Sequence, residues 1–233
     1  MTKENYIERR VKIDTDVVSQ KVLLDTEGVS ILLAEPGAGK SSLLENLGLS
    51  LDVFPIRANV YRYSTKHNPD GTLIIDALDE VVSLDKSAID SVLVKASEAD
   101  CKRVILASRS GHWDEARTRF VEDSFRTKPT IVRLDPFSAL EQQQLFIQYK
   151  PDEDFDHFKR SLHSLDLADL LVNPQFLKIF ADAYVESNRK LVSKQQLFGD
   201  AINWLAREHS RDCLLYTSPS PRDLSTSRMP SSA

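Results

Sequence analysis

AEPGAGKSS, residues 34–42, lies between a run of apolar residues, VSILLA (29–34), and an amphipathic stretch, SSLLENLGLSL (41–51). The spacing is G-x-x-x-x-G-K-[ST], with Ala34 standing where the first glycine is usual. Gly37 and Gly39 reach backbone conformations closed to other residues, so successive N–H groups can turn inward toward an anion. A helix opening near Lys40 adds its positive end to the same place. Ala34, Glu35, Pro36, Gly37, Ala38, Gly39, Lys40, Ser41 and Ser42 therefore read as a cradle for a phosphate chain, with the Lys40 ammonium reaching the outer phosphates. The bland alternative is a glycine-rich turn before an amphipathic helix, which leaves the Lys-Ser pair at this spacing unexplained.

A second stretch, LIIDALDE (73–80), ends an apolar run on Asp76 and then adds Asp79 and Glu80. A carboxylate at the end of a buried strand is costly unless a cation meets it. Mg²⁺, held jointly by the Ser41 hydroxyl and Asp76, is the cation that the first motif supplies. Asp79 and Glu80 come three and four residues later, so a turn out of the strand could bring one of them back as general base or water-orienting group. The same acids would also suit the first turn of a following helix.

Five runs punctuate the first half: VSILLA, VFPIRANV (53–60), TLIIDA (72–77), RVILAS (103–108) and TIVRL (130–134). Helix-like stretches such as DKSAIDSVLVKASEAD separate several of them, and this alternation predicts an α/β fold with a parallel sheet covered on both faces. After Asp135 the strand signals stop. Ser138 and Glu141 have capping-box spacing, and FKRSLHSL, LADLLVNPQFLKIFADAYV and KQQLFGDAINWLAREH follow with helical periodicity. The expected organisation is a lead-in segment (1–28), an α/β nucleotide-binding core (29–135), a helical lid (136–212) and a tail (213–233).

Taken together, AEPGAGKSS, LIIDALDE with its displaced acids, and ILASRS (105–110) resemble the NACHT branch of the STAND class of P-loop NTPases. The resemblance implies the additional-strand P-loop fold: a five-stranded parallel sheet ordered 5-1-4-3-2, helices on both faces, and a small α-helical lid. It implies ATP and Mg²⁺ as cofactors, Ser41 and Asp76 as metal ligands, and Glu80 or Asp79 as the catalytic acid. Arg109, at the end of a strand similar to the family's sensor-1 strand, is implied to lie near the γ-phosphate. VNPQFLKIF (172–180) is similar to the family's N-P-x-x-L helix, where Pro174 packs near adenine, although its ring equally suits a first helical position. YIERRV (6–11) resembles the segment that lines the base and ribose, with Arg10 the first candidate and Arg9 the alternative. LFGDAINWLAREHSR looks like the helix closing the lid. Only 35 residues separate Lys40 from Asp76, which is short for the family and predicts a reduced helix, with YSTKHNPDG (63–71) a loop.

The resemblance implies a slowly hydrolysing signalling switch that self-associates on activation, as in bacterial stress or anti-phage sensors, with sensor and effector parts missing or separate. The alternative is an AAA+-type motor or loader acting on protein or nucleic acid, for which RTRF (117–120) and SFRTK (124–128) offer trans-acting arginines. A net charge of −5 over 233 residues gives no sign of a nucleic-acid partner. Two cysteines, no signal-like N-terminus and no apolar run of the roughly 20 residues that a membrane span needs fit a cytoplasmic protein. CLLYTSPSPRDLSTSRMPSSA (213–233) reads as a disordered tail and closely resembles translated sequencing-library adapter, so the natural chain is expected to continue differently past Asp212.

Overall fold

The computed structural model describes residues 6–64, 71–82, 86–191, 193–195 and 197–199; the readings of the tail and of the lid's closing helix beyond Gly199 lie outside them. The chain opens with a β-hairpin, β1 (Arg10–Ile13) and β2 (Asp16–Ser19). The five apolar runs then supply β3 (Gly28–Ala34), β4 (Ile56–Arg57), β5 (Thr72–Asp76), β6 (Arg103–Arg109) and β7 (Thr130–Leu134). These five pair in parallel in the order β7-β3-β6-β5-β4. Numbered among themselves, they have the expected order 5-1-4-3-2.

The sheet has seven strands rather than five. β1 pairs antiparallel with both β2 and β7, so the lead-in residues extend the sheet beyond its parallel core. RVKIDTDVVS forms this hairpin because Val11 and Ile13 alternate with polar residues and a two-residue turn, Asp14-Thr15, joins the strands. Asp14 takes the left-handed conformation (φ 52°) that such tight turns favour.

Helices cover both faces. On one lie α1 (Val22–Asp25) and α2 (Lys40–Leu51), packed with Leu32, Ile74, Ile105 and Val132. Leu43, Leu44 and Leu47 of α2 are at most 1% exposed, and each such burial stabilises by about 2 kcal/mol. Tyr61 of α3 (Ala58–Tyr61) joins the opposite face with α4 (Leu78–Val82), α5 (Lys86–Ser97) and α6 (Glu115–Phe125), around Ile31, Leu33, Ile75 and Leu106. Between β4 and β5 the described residues hold one short helix, the four-residue α3, in keeping with the short spacing; residues 65–70 of the expected loop 63–71 lie outside the described residues. Alternation along β5 fixes the side on which its terminal acid lies. Ile74 points toward α2, Leu73 and Ile75 point away, and Asp76 therefore falls on the α2 side.

Beyond β7 come α7 (Ala139–Tyr149), α8 (Phe155–His163), a 3₁₀ turn at Ala168–Val172 and α9 (Pro174–Glu186). The capping box is present: Glu141 N–H donates to Ser138 Oγ, and the Glu141 carboxylate accepts from Ser138 N–H at 2.6 Å. Among the described residues, one compact unit runs up to Phe155 and includes Asp169–Lys178; the other contains Asp156–Ala168 and the residues from Ile179 on. The sheet belongs to the first. In the second, Phe158 meets Tyr184 edge-on at 5.3 Å. No described helix is long and apolar enough to cross a membrane.

Candidate functional site

The loop after β3 turns through two glycines with positive φ, Gly37 (73°) and Gly39 (92°), and α2 begins at Lys40. Ser41 donates to Asp76 Oδ2 at 2.6 Å, joining the start of α2 to the end of β5. Lys40 Nζ lies 3.3 Å from Asp76 Oδ1 and 3.5 Å from Asp79 Oδ1. Asp79 is 6% exposed, and its second oxygen takes the Arg109 Nε at 2.8 Å. The Arg109 backbone N–H also reaches Asp79, at 3.2 Å. Two cations and two carboxylates thus meet with alternating sign, which is how buried charges are tolerated.

The residue between the acids explains this arrangement. Ala77 has φ +59°, a left-handed conformation that L-residues other than glycine adopt at a cost. Its N–H donates to Asp76 Oδ1 at 2.7 Å, and α4 starts at once with Leu78. This sharp exit swings Asp79 back under Lys40. Glu80 goes the other way: its side chain is 44% exposed, with Arg57 of β4 at 4.0 Å. Of the two displaced acids, the turn brings Asp79 into the cluster.

The lead-in arginines also separate. Arg9 is 3% exposed and donates from Nη1 to the Ala38 carbonyl of the glycine loop at 2.6 Å and from Nη2 to the Asp135 carbonyl at 2.7 Å. Its guanidinium carbon sits 4.1 Å from the Phe137 ring centre. Burial pushes the Arg9 pKa down to about 10, partly offset by Glu141, Tyr6 and Asp135, so it keeps its charge at neutral pH. Arg10, the first candidate from sequence, instead pairs with Asp135 Oδ2 (2.9 Å) and Glu141 Oε2 (3.4 Å), anchoring β1 to the cap of α7. Neighbouring residues on an extended chain point to opposite sides, so only one of the two can face the loop.

The start of α9 lies over the glycine loop. Asn173 Nδ2 donates to the Pro36 carbonyl at 2.9 Å, and its Oδ1 caps the helix by accepting from Gln175 N–H at 2.9 Å. A Cβ added at Gly37 would sit 2.7 Å from the Gln175 Cβ, and one at Gly39 would sit 3.7 Å from Pro174. Pro174 is the first residue of α9 and borders a cavity of about 410 Å³ whose wall also includes Tyr6, Arg9, Asn46, Leu49 and Phe54. Tyr6 and Gln175 lie within the YIERRV and VNPQFLKIF stretches but were not singled out there, and Asn46 belongs to no motif.

A hydroxyl and a carboxylate oxygen 2.6 Å apart are hard oxygen donors of the kind Mg²⁺ takes, together with phosphate and water oxygens. The pair fits such an ion. No cluster of three or more His, Cys, Asp or Glu suited to a metal occurs among the described residues, and an ion bound jointly with a phosphate chain needs none.

The sheet order, the glycine loop and the strand-end carboxylate make this a fold similar to P-loop ATPase domains. No family model matches the chain, and no curated protein matches it. Among solved structures it is similar to domain III of the Thermotoga maritima replication initiation protein DnaA, at 14% identity and TM-score 0.48 over 78% of this chain and 88% of that one. It is also similar to the Aeropyrum pernix ORC1 protein, solved in complex with DNA, at 12% identity and TM-score 0.43 over 79% and 62%. The Thermotoga maritima RuvB Holliday junction branch migration motor has 16% identity and a TM-score of 0.42, over 77% and 63%. The chain thus spans less than two thirds of the latter two proteins.

Proposed function

We propose that the chain is the nucleotide-binding part of an ATP-operated switch of NACHT/STAND type that binds Mg-ATP, hydrolyses it slowly and changes its self-association with the bound nucleotide. The observation that carries this reading is the convergence of Lys40, Ser41, Asp76, Asp79 and Arg109 at the mouth of the glycine loop. Ser41 and Asp76 would hold Mg²⁺, which neutralises charge on the outer phosphates. Lys40 would exchange its carboxylate partners for phosphate oxygens, and Asp79 would orient the attacking water. Arg109 would exchange Asp79 for the γ-phosphate when that phosphate is present.

A ligand shifts an equilibrium only by touching its two states differently. The Asp79–Arg109 pair supports a switch on that ground, because one guanidinium has two alternative anions according to the nucleotide. The test measures hydrolysis and particle mass with Mg-ATP and Mg-ADP, with and without DNA. Slow turnover unaffected by DNA, with a mass that depends on the nucleotide, is expected. Severalfold stimulation by DNA at constant mass would favour a motor instead.

A further inference from the structure

We infer that the side-chain amide of Asn46 reads the nucleobase, donating from Nδ2 to a ring nitrogen or carbonyl oxygen on the base edge. This deepens the nucleotide reading above and rests on it. The orientation of the amide comes from a chain of hydrogen bonds whose first donor is unambiguous. The Arg9 backbone N–H can only donate, and it meets the Gln20 side chain at 2.8 Å. That atom is therefore the carbonyl oxygen of Gln20, and the Tyr6 hydroxyl donates to it as well, at 2.5 Å. Burial pushes the Tyr6 pKa well up, so the hydroxyl keeps its proton.

With its oxygen assigned, Gln20 must donate from Nε2, and Nε2 lies 2.9 Å from Asn46. The receiving atom is therefore Asn46 Oδ1, which leaves Nδ2 as the free end of the amide. No acceptor among the described residues meets it. Gln20 is 4% exposed, so the relay is fixed by burial.

Asn46 borders the cavity from α2 together with Ser42, Glu45 and Leu49. The spacing i, i+3, i+4, i+7 puts these four on one helix face. Ser42 directly succeeds the loop's Ser41, and Asn46 lies one turn further, about 6 Å along the axis. A nucleotide whose phosphates occupy the loop would thus bring its base to Asn46. Leu49, Phe54 and Pro174 supply apolar wall for a flat ring, and the cavity, about 410 Å³, is large enough to take one. A polar site donor that only the right ligand satisfies is a strong source of selectivity, because the wrong ligand leaves it unpaired.

Asn46→Asp tests this cleanly. The aspartate keeps the oxygen that Gln20 needs and replaces the other amide group, the N–H donor, with a second acceptor. Equilibrium binding of Mg-ATP and of magnesium tripolyphosphate, which has the phosphates and no base, is measured on both proteins. The expected result is an ATP affinity at least about tenfold lower in the variant with tripolyphosphate affinity within about twofold. Equal losses for both ligands would assign the effect to charge or folding and overturn the inference. So would tripolyphosphate binding the unsubstituted protein as tightly as ATP, since the base would then contribute nothing. Failure of the unsubstituted, folded protein to bind either ligand would remove the nucleotide reading itself.

Discussion

At the scale of single residues, position relative to Lys40 separates Asp79 from Glu80. Both are acids on the first turn of α4, yet Asp79 is buried between Lys40 and Arg109 while Glu80 faces outward toward Arg57. Asp79→Asn should therefore slow ATP hydrolysis by about 100-fold or more, the range expected for loss of a water-orienting carboxylate. Glu80→Gln should leave it within about threefold, as expected for an exposed residue outside the cluster. Steady-state turnover under saturating Mg-ATP distinguishes them, and the reverse ranking would move the base to Glu80. Gly37 is constrained twice over, by its φ of 73° and by Gln175 packed against it. Gly37→Ala should cost about 1–2 kcal/mol from the backbone alone, with a further penalty from the collision. Measured against Gln175→Gly alone, which has already lost the Cβ that the new methyl would meet, Gly37→Ala should cost only the backbone part in denaturant unfolding.

At the scale of elements, the turn joining β5 to α4 is what positions the acids. A strand that ran straight on, or a helix that began a residue later, would leave Asp79 away from Lys40. The left-handed Ala77 concentrates the turn in one residue. Ala77→Gly should be tolerated, whereas Ala77→Val should destabilise by about 2 kcal/mol or more, because a β-branched side chain resists positive φ. Thermal unfolding of the two variants measures this, and equal midpoints would show that the turn is not under strain.

β3, β5 and β6 were legible in the sequence because strands buried on both faces read as near-continuous apolar runs. Lys40, Ser41 and Asp76 stood out because a phosphate site would demand those residue types at fixed spacing, and the structure brings the three together. β1 and β2 were not, since four-residue strands with charged alternate positions look like lead-in chain until β7 offers them an edge. The choice of Arg9 over Arg10 depends on which way a strand faces, and no local pattern reveals that. Asn46 was hidden for a different reason: its role comes from Gln20, 26 residues away and carried on the hairpin.

At the scale of the whole molecule, the hairpin does more than lengthen the sheet. It pairs with the outer edge of β7, which would otherwise present unpaired backbone groups. It also carries Gln20 and the chain leading to it carries Tyr6 and Arg9, so the residues that close one side of the cavity are fixed by the sheet. The parallel core supplies the opposite side through α2 and the phosphate loop. The site is therefore built from the hairpin edge and the central strand β3 of one continuous sheet, and everything proposed for it requires a triphosphate at Lys40. Calorimetric titration of Mg-ATP into the folded chain and into Lys40→Ala is the most direct measurement. Saturable binding to the first, weakened at least about tenfold in the second for loss of a charge-assisted phosphate contact, is the predicted result. Equal affinity in the two proteins, or no heat of binding to the first, would contradict it.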